Sequence, residues 1–258
     1  MKDSNLDNIY NLKNKVVVIT GSCGQLGSSM CDLFINIGCK VIGIDYLIES
    51  NKINNVDYYQ LDIRKSKDVS TVFKSIFNKF KKIDVLINNS GGPPPKLFLK
   101  TSNKDWSNAL NINFLSALNF SKSVIPSMKS KKWGRIINLT SLTAKEPSKN
   151  MVLSNVTRAA LASFSKTLSI EVAQFGITVN TILTGGCITD RLISLIKNQS
   201  NKININSELN KFSKLVPVGY IAKPDEFIQM ILFLASNNSS YVNGISIPID
   251  GGASKSLF

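Results

Sequence analysis

A short apolar run that ends in a glycine-rich turn restricts the fold of this chain more than any other feature. Residues 15–20 are mostly β-branched and favour a buried strand, and Gly21, Gly24 and Gly27 follow directly at every third position. Glycines at a strand-to-helix turn let a pyrophosphate reach backbone amides at the positive end of the helix. The pattern predicts a dinucleotide-binding unit, although a purely structural turn also uses glycines.

Asp45 closes a second apolar run, residues 40–44, at the distance from the glycines where an acid binds the adenosine ribose. Its carboxylate would accept both ribose hydroxyls of NAD and repel the extra phosphate of NADP. No arginine follows it in Tyr46 or Leu47. We therefore predict NAD, with NADP as the alternative because Lys52 could fold back towards that phosphate.

Strand-like and helix-like segments alternate further along the chain. Residues 57–61 and 84–87 are predicted strands, and residues 66–80 between them are predicted to form a helix. Such alternation indicates a parallel sheet. We predict an α/β fold, a Rossmann-type doubly wound sheet in three layers (α/β/α), as a single domain over residues 1–258 with 43% apolar residues for its core.

Several motifs in the same order resemble the short-chain dehydrogenase/reductase family over almost the full length. The Asn-Asn-Ala-Gly run of that family corresponds to residues 88–91, with Ser90 replacing the alanine. The other matching segments are residues 106–113, 134–138, 171–180 and 250–252. The resemblance implies hydride transfer between a nicotinamide cofactor and a substrate.

The family's reaction centre is only partly retained. The resemblance implies that Asn113 helps to hold a proton-relay water and that Ser141 binds the substrate oxygen. The family's tyrosine and lysine fall on Ser154 and Arg158. A serine is too weak an acid to replace a tyrosine whose pKa is lowered by a lysine. Arg158 keeps a positive charge that would hold the nicotinamide ribose.

Two interpretations of this centre compete. In the first, a group elsewhere in the site supplies the proton in place of the tyrosine. Residues 88–95 and 153–158 resemble a divergent bacterial subgroup described as oxidoreductases or 3-oxoacyl-carrier-protein reductases. Lys145 or Glu146 could act as acid or base if desolvation shifted its pKa towards neutrality. A water, or the substrate's own group, is another candidate, and the pair could equally be an ordinary solvated loop. In the other interpretation, the protein is a nucleotide-binding scaffold or sensor without turnover. A redox-neutral isomerase or lyase is a third, weaker reading. The chain has no histidine, which excludes a serine-histidine-acid hydrolase.

The resemblance assigns the rest of the cofactor site. Asp62 and Ile63 would border the adenine, and Thr189 would bind the carboxamide. A substrate lid is expected around residues 184–216, where Leu192, Ile193, Leu195 and Ile196 have the spacing of an amphipathic helix. The predicted cofactor-binding set is Gly21, Gly24, Gln25, Leu26, Gly27, Asp45, Asp62, Ile63, Asn89, Ser90, Gly91, Arg158, Gly185 and Thr189.

Charge and composition bear on partners and location. The net charge of +14 comes from scattered lysines, so we expect no nucleic acid but a small-molecule substrate, for which an anion or an acyl thioester is a candidate. No cysteine spacing indicates a metal site. Without a secretory or membrane-spanning stretch, a cytoplasmic protein is expected. By resemblance, the long helices at 104–128 and 151–175 would pair copies of the chain into a homodimer or homotetramer.

Overall fold

The structure, a computed structural model, describes residues 9–48, 52–197 and 204–257. Seven parallel strands form one sheet in the order β3-β2-β1-β4-β5-β6-β7. They are β1 (Val16–Thr20), β2 (Lys40–Asp45), β3 (Asp57–Gln60), β4 (Val85–Asn88), β5 (Gly134–Ser141), β6 (Ile177–Thr184) and β7 (Ser246–Ile249). The strand order reverses between β1 and β4. A ligand crevice is expected at such a switch point, beyond the carboxyl ends of the strands.

Helices cover both faces of the sheet. In the described ranges they are α1 (Gln25–Asn36), α2 (Ser66–Phe80), α3 (Asn103–Leu110), α4 (Ser116–Lys131), α5 (Val152–Val172), α6 (Asp190–Lys197), α7 (Ile205–Leu215) and α8 (Pro224–Ala235). Phe34 of α1 and Ile231 of α8 belong to the core on one face, whereas Phe73 of α2 and Phe120 of α4 belong to the core on the other. The predicted doubly wound, three-layer α/β fold is confirmed.

The central strands are apolar along their whole length because each is covered on both sides. Every residue of β1 and β4 is buried, which is the pattern of strands inside a parallel sheet. Four consecutive partners of β4 and β5, from Val85 and Arg135 to Asn88 and Asn138, keep the two strands in register up to the crevice. The strand ends that carry the predicted site residues are therefore held by the most buried part of the molecule.

A π-helical turn, Asn111–Leu115, joins α3 to α4. α3 itself begins with a capping box, in which Ser102 and Asp105 satisfy each other's backbone amides. π-turns inside helices are rare and frequently mark functional positions. This one contains Asn113, which is buried.

The predicted lid corresponds to α6, α7 and the loop that precedes them, while residues 198–203 lie outside the described part of the chain. The amphipathic prediction is confirmed for α6: Ile196 is buried, and Arg191 and Lys197 are exposed. Movement of this segment stays a prediction. None of the helices in the described ranges is both long enough and apolar enough to span a membrane.

Candidate active site

A cleft of about 740 Å³ runs along the carboxyl edge of the sheet across the switch point. All of the residues predicted to bind cofactor lie along it: Gly21, Gly24, Gln25, Leu26, Gly27, Asp45, Asp62, Ile63, Asn89, Ser90, Gly91, Arg158, Gly185 and Thr189. Of the residues predicted to be catalytic, Ser141, Ser154 and Arg158 line the cleft as well. The sheet thus brings together residues that are up to 168 positions apart in sequence, from Gly21 to Thr189.

The glycine turn leaves room and hydrogen-bond donors for an anion. Gly21 has a φ of +59°, a conformation that favours glycine, and a Cβ on Gly27 would lie 1.9 Å from the Gly21 carbonyl oxygen. α1 begins immediately after Gly24 without a side-chain cap and without an acidic residue in its first turn. The positive end of α1 is therefore open for a phosphate.

Asp45 is fixed at the end of β2, beside this turn. Its Oδ2 accepts a hydrogen bond from the Cys23 amide at 2.9 Å, and its Oδ1 accepts one from the Tyr46 amide at 2.8 Å. Nearby, the Arg64 guanidinium lies 2.7 Å from Asp62 and, through its hydrogen bonds, lowers the pKa of that carboxyl. This end of the cleft presents carboxylate acceptors, which suit the hydroxyls of a ribose.

Asn89 ties the turn after β4 to the turn after β1. The Thr20 hydroxyl donates to the Asn89 carbonyl at 2.7 Å, and the Asn89 side-chain amide donates to the Gly21 carbonyl at 3.1 Å. A Cβ added to Gly91 would meet no heavy atom within 4 Å. The two turns are therefore fixed to each other, and the space beside Gly91 is open to a ligand.

Three hydroxyl groups meet at the far end of the cleft. The Ser141 oxygen accepts a hydrogen bond from the Thr143 amide at 3.2 Å, and the hydroxyls of Thr143 and Ser154 are 3.3 Å apart. Ser141 ends β5, and Ser154 lies in the first turn of α5, where it is buried. Both serines line the cleft, so each hydroxyl is available to donate a hydrogen bond to a substrate oxygen that lies there.

Asn113 supports this end from behind the cleft wall. Its side-chain amide donates to the Thr157 hydroxyl at 2.9 Å, and Thr157 immediately precedes Arg158 on α5. The Asn113 Oδ1 atom is buried and has no hydrogen-bond partner among the described residues. Buried acceptors of this kind are normally satisfied by an ordered water, so Asn113 is suited to hold a water behind Arg158, as the resemblance predicts.

Arg158 brings a buried positive charge to the same end. It is 8% exposed, and its Nη1 donates to the Leu139 carbonyl at 3.1 Å. Burial, aided by the charge of Arg191, lowers the pKa of Arg158 to about 10, so the group is still protonated at neutral pH.

Arg191 is a cleft residue that the sequence analysis missed. From the first turn of α6 its Nη2 atom donates to the Pro93 carbonyl at 2.5 Å, across the mouth of the cleft. Its position two residues after Thr189 was the available signal, because a long side chain there reaches the substrate end. Gln25 also bonds to this helix, since its Oε1 accepts from the Asp190 amide at 2.6 Å.

Glu146 does not meet the condition under which it is a candidate for the acid that replaces the tyrosine, which is a pKa shifted towards neutrality by desolvation. Its carboxylate accepts hydrogen bonds from the amides of Lys255 at 2.6 Å and Ser256 at 2.8 Å, which lower its pKa instead of raising it towards neutrality. Lys145 is likewise not among the described residues that line the cleft. Glu146 anchors the carboxyl-terminal segment, a role that only the tertiary structure reveals.

Comparison of the sequence with known proteins identifies relatives over almost the whole chain. Residues 26–254 match the family model described as enoyl-(acyl carrier protein) reductase. The chain is 30% identical to the 3-oxoacyl-[acyl-carrier-protein] reductase of Buchnera aphidicola subsp. Schizaphis graminum over 93% of this chain and 98% of that protein. It is 31% identical to the oxidoreductase UcpA of Escherichia coli K12 over 94% of this chain and 95% of that protein.

Two solved structures have a fold similar to that of this chain. L-sorbose reductase from Gluconobacter frateurii, solved with NADPH and L-sorbose, superposes with a TM-score of 0.89 at 25% identity over 95% of this chain and 98% of that chain. Aldohexose dehydrogenase from Thermoplasma acidophilum shares the fold with a TM-score of 0.90 at 23% identity over 96% of this chain and 98% of that chain. The chain belongs to the short-chain dehydrogenase/reductase family.

Proposed function

We propose that the protein is an NAD(P)-dependent oxidoreductase that interconverts a carbonyl and a hydroxyl group. The observation that carries the proposal is one continuous cleft with an open glycine turn at one end and the hydroxyls of Ser141 and Ser154 at the other, where Thr143 is hydrogen-bonded to both serines. A dinucleotide extended along this cleft would lie with its phosphates on the turn and its nicotinamide beside the hydroxyls. Relatives of nearly the same length, one described as a reductase and one as an oxidoreductase, support this chemistry.

We propose NAD(H) as the preferred form of the cofactor. The Asp45 carboxylate lies at the adenosine end, where it would accept ribose hydroxyls and repel a 2′-phosphate. Two solved structures of similar fold are named as NADPH-dependent or NADPH-bound, so the dinucleotide class is shared and the phosphate preference is the point of difference. Asp45 itself is what favours NAD in this chain.

In the proposed mechanism, the bound nicotinamide supplies or accepts the hydride, and the chain's own groups manage the substrate oxygen. Ser141 and Ser154 donate hydrogen bonds to that oxygen and hold its carbon in one orientation. The Arg158 cation stabilises the negative charge that develops there. Thr143 bonds to both serines and is partly exposed, so it connects Ser154 to solvent water, from which the proton is drawn.

The proposed mechanism uses no tyrosine near the substrate oxygen. The tyrosine among the described cleft residues is Tyr46, which lies beside Asp45 at the adenosine end. A serine hydroxyl can polarise a carbonyl but is a poor acid. The proposed site therefore depends on the fixed positive charge of Arg158 and on water, and catalysis should require the cation more than the Ser154 proton.

The test is a titration with NADH followed by fluorescence, and then an assay against ketones, oxo acids and 3-oxoacyl thioesters. Binding with turnover supports the oxidoreductase. Binding without turnover of any substrate supports the scaffold or sensor, and product formation without net change in NADH supports the redox-neutral enzyme. A chain that binds neither nicotinamide dinucleotide rules out the proposal.

A double variant, Ser154→Tyr with Arg158→Lys, examines the unusual centre directly. It restores the pair that the family resemblance predicts at these positions. If the natural chain is inactive and the variant reduces the same ketones, the natural chain is a scaffold. If the natural chain is active and the variant is slower on the natural substrate, the serine and arginine are adapted to that substrate.

Three expectations about the whole protein remain proposals. Self-association into a homodimer or homotetramer is testable by light scattering coupled to gel filtration. Absence of nucleic-acid binding is testable by a mobility-shift titration at low salt, where a basic protein would bind most tightly. A cytoplasmic location is testable by fractionation of the source cells.

A further inference from the structure

Two arginines from different elements approach the same point of the cleft. A Cβ placed on Gly92 would lie 3.4 Å from Nη2 of Arg191 and 3.6 Å from Nη2 of Arg158. Arg158 comes from α5 and Arg191 from the first turn of α6, so the two cations reach Gly92 from different elements. Because Gly92 has no side chain, the space beside the two guanidinium groups is not filled by a residue at this position.

Neither arginine is paired with a carboxylate among the described residues. The described ion pairs involve neither of them, and the bonds that they make go to the carbonyl oxygens of Leu139 and Pro93. The Nε atom of Arg158 is buried and has no hydrogen-bond partner in the part of the chain that the structure describes. Adjacent like charges without a counter-ion are destabilising, and an anion between them would relieve that cost.

The acidic groups of the cleft are engaged elsewhere. Asp45 is bound by backbone amides at the adenosine end, Asp62 pairs with Arg64, and the side chain of Asp190 accepts from Gln25 at 3.4 Å. The counter-ion is therefore expected to come from a ligand. Planar guanidinium groups suit a carboxylate, which they can bind through paired hydrogen bonds.

We propose that Arg158 and Arg191 form the carboxylate subsite for a short 2-oxo or 3-oxo acid, or for the corresponding hydroxy acid. This inference rests on the proposed oxidoreductase function and names its substrate class. It assigns the Arg158 guanidinium to the substrate carboxylate in place of the nicotinamide ribose, while the charge of Arg158 still favours the negative charge that develops on the neighbouring substrate oxygen. The reaction is balanced by one cofactor: the C=O group gains a hydride and a proton to become CH–OH as NADH is converted to NAD⁺, and the reverse reaction oxidises the hydroxy acid.

The position of Arg158 on α5 is consistent with a short substrate. Arg158 follows Ser154 by four residues, so the two side chains leave the same face of the helix. The proposed substrates are therefore acids whose carboxylate is attached to the carbonyl carbon or lies one carbon further along.

The dinucleotide has phosphates of its own, so the anion could come from the cofactor or from the substrate. The two sources are distinguishable. If the cofactor phosphates occupy the site, loss of Arg191 weakens the binding of NAD⁺. If the substrate carboxylate occupies it, loss of Arg191 weakens the binding of the oxo acid. We use NAD⁺-loaded protein, in which an oxo acid binds without turnover, and measure by calorimetry the affinities for acetoacetate, pyruvate and the neutral methyl ester of acetoacetate. NAD⁺ affinity is measured separately on each variant.

The variants are Arg191→Gln, which removes the charge, and Arg191→Lys, which keeps the charge but not the fork. Lys197→Gln is the matched control, because it removes one positive charge from the same helix at a residue that does not line the cleft. We expect Arg191→Gln to weaken binding of the better oxo acid at least 10-fold and to change the affinities for the methyl ester and for NAD⁺ less than 2-fold. Arg191→Lys should recover part of the loss, and Lys197→Gln should have little effect.

Several results would overturn the carboxylate subsite. In the first, neither oxo acid binds, and in the second, Arg191→Gln reduces the affinities for the acid and the ester equally. In the third, the Lys197→Gln control reduces the oxo-acid affinity as much as Arg191→Gln does. In the fourth, Arg191→Gln reduces the affinity for NAD⁺ and not for the oxo acid, which would assign Arg191 to the cofactor phosphates. Failure of the proposed function is a separate result, in which no variant binds a nicotinamide dinucleotide. Reduction of neutral ketones in preference to oxo acids would leave the oxidoreductase intact and reject the subsite.

Discussion

Asp45 is the residue on which the choice between NAD and NADP depends. Changing Asp45 to Asn removes the negative charge near the position of a 2′-phosphate but keeps a hydrogen-bond acceptor for the Cys23 amide. We expect NADPH to bind about 10-fold more tightly and NADH several-fold more weakly, since relief of a nearby like charge contributes about 1.4 kcal/mol. Titration of each variant with both reduced cofactors measures this.

Asp32→Asn is the control for that substitution, because Asp32 is exposed on α1 and does not line the cleft. It changes the net charge by the same amount. An equal gain in NADPH affinity in both variants would assign the effect to overall charge, and an unchanged preference in Asp45→Asn would show that the carboxylate does not select the cofactor.

Single residues were predictable from the sequence where the chemistry allows only one residue type. Gly21 and Gly27 belong to this class, because their backbone conformation or the approach of a neighbouring carbonyl excludes a side chain. Arg191 and Glu146 do not belong to it. Charged residues are common in loops and first helical turns, and only the packing shows that one crosses the cleft mouth while the other binds the amides of the carboxyl-terminal segment.

Among the elements, the buried strands were predictable and the π-turn was not. β1 and β4 are buried on both faces, so their apolar runs are continuous and are bounded by polar or glycine residues. Residues 111–115 fall inside the single long helix predicted over 104–128, and in the structure Asn113 of this turn contacts Thr157 of α5. Local sequence does not encode such a tertiary contact.

α6 is held to the glycine turn by Gln25, and this connection should control cofactor release. The Gln25 Oε1 atom accepts a hydrogen bond from the Asp190 amide at 2.6 Å. Changing Gln25 to Ala removes this connection without altering the glycines. We expect NADH to dissociate about 5-fold faster, as one hydrogen bond contributes about 1 kcal/mol, and stopped-flow fluorescence measures this rate.

Gln60→Ala is the matched control for Gln25→Ala. The Gln60 side chain bonds to the Tyr46 carbonyl, outside α6. If both variants release NADH at the natural rate, α6 does not limit release. If both accelerate it equally, the effect is a general loosening of the cleft and not the loss of a connection to α6.

The carboxyl-terminal segment should be held in a pH-dependent way by Glu146. The pKa of Glu146 in the folded chain lies below its ordinary value of 4.5 because the amides of Ser256 and Lys255 stabilise the carboxylate. A lowered pKa means that the contribution to stability is complete above that ordinary value and is lost as the pH falls through the folded-state pKa. We therefore expect the amides of residues 255 and 256 to keep their protection down to about pH 4.5 and to lose it as the pH falls further, through the folded-state pKa.

Hydrogen exchange, corrected for intrinsic rates at each pH, measures that protection. Glu146→Ala should abolish it at every pH, whereas Glu208→Ala, which removes a carboxylate bonded to Lys211 on α7, should leave it unchanged. Protection that is independent of pH in the natural chain, or that persists in Glu146→Ala, would contradict the assignment.

On the scale of the whole molecule, the cleft connects the two halves of the sheet. Its adenosine end is built by the ends of β1 and β2, and its reacting end by the ends of β5 and β6. These halves meet at the neighbouring strands β1 and β4, where Asn89 joins the two turns. A ligand that spans the cleft therefore contacts both halves, and its binding energy should add to the stability of the entire fold.

This coupling predicts that NADH raises the melting temperature of the protein as a single transition. At a free concentration 100 times its Kd, a ligand that binds only the folded chain stabilises it by about 2.7 kcal/mol, which corresponds to about 5 to 10 °C for a chain of this size. AMP, which resembles only the adenosine half, should give a much smaller shift at the same concentration, because it lacks the contacts beyond the switch point. Scanning calorimetry distinguishes the outcomes. A single transition whose midpoint temperature rises with NADH supports a cleft shared by both halves. Two transitions, with only one midpoint raised by NADH, would show that the halves unfold separately.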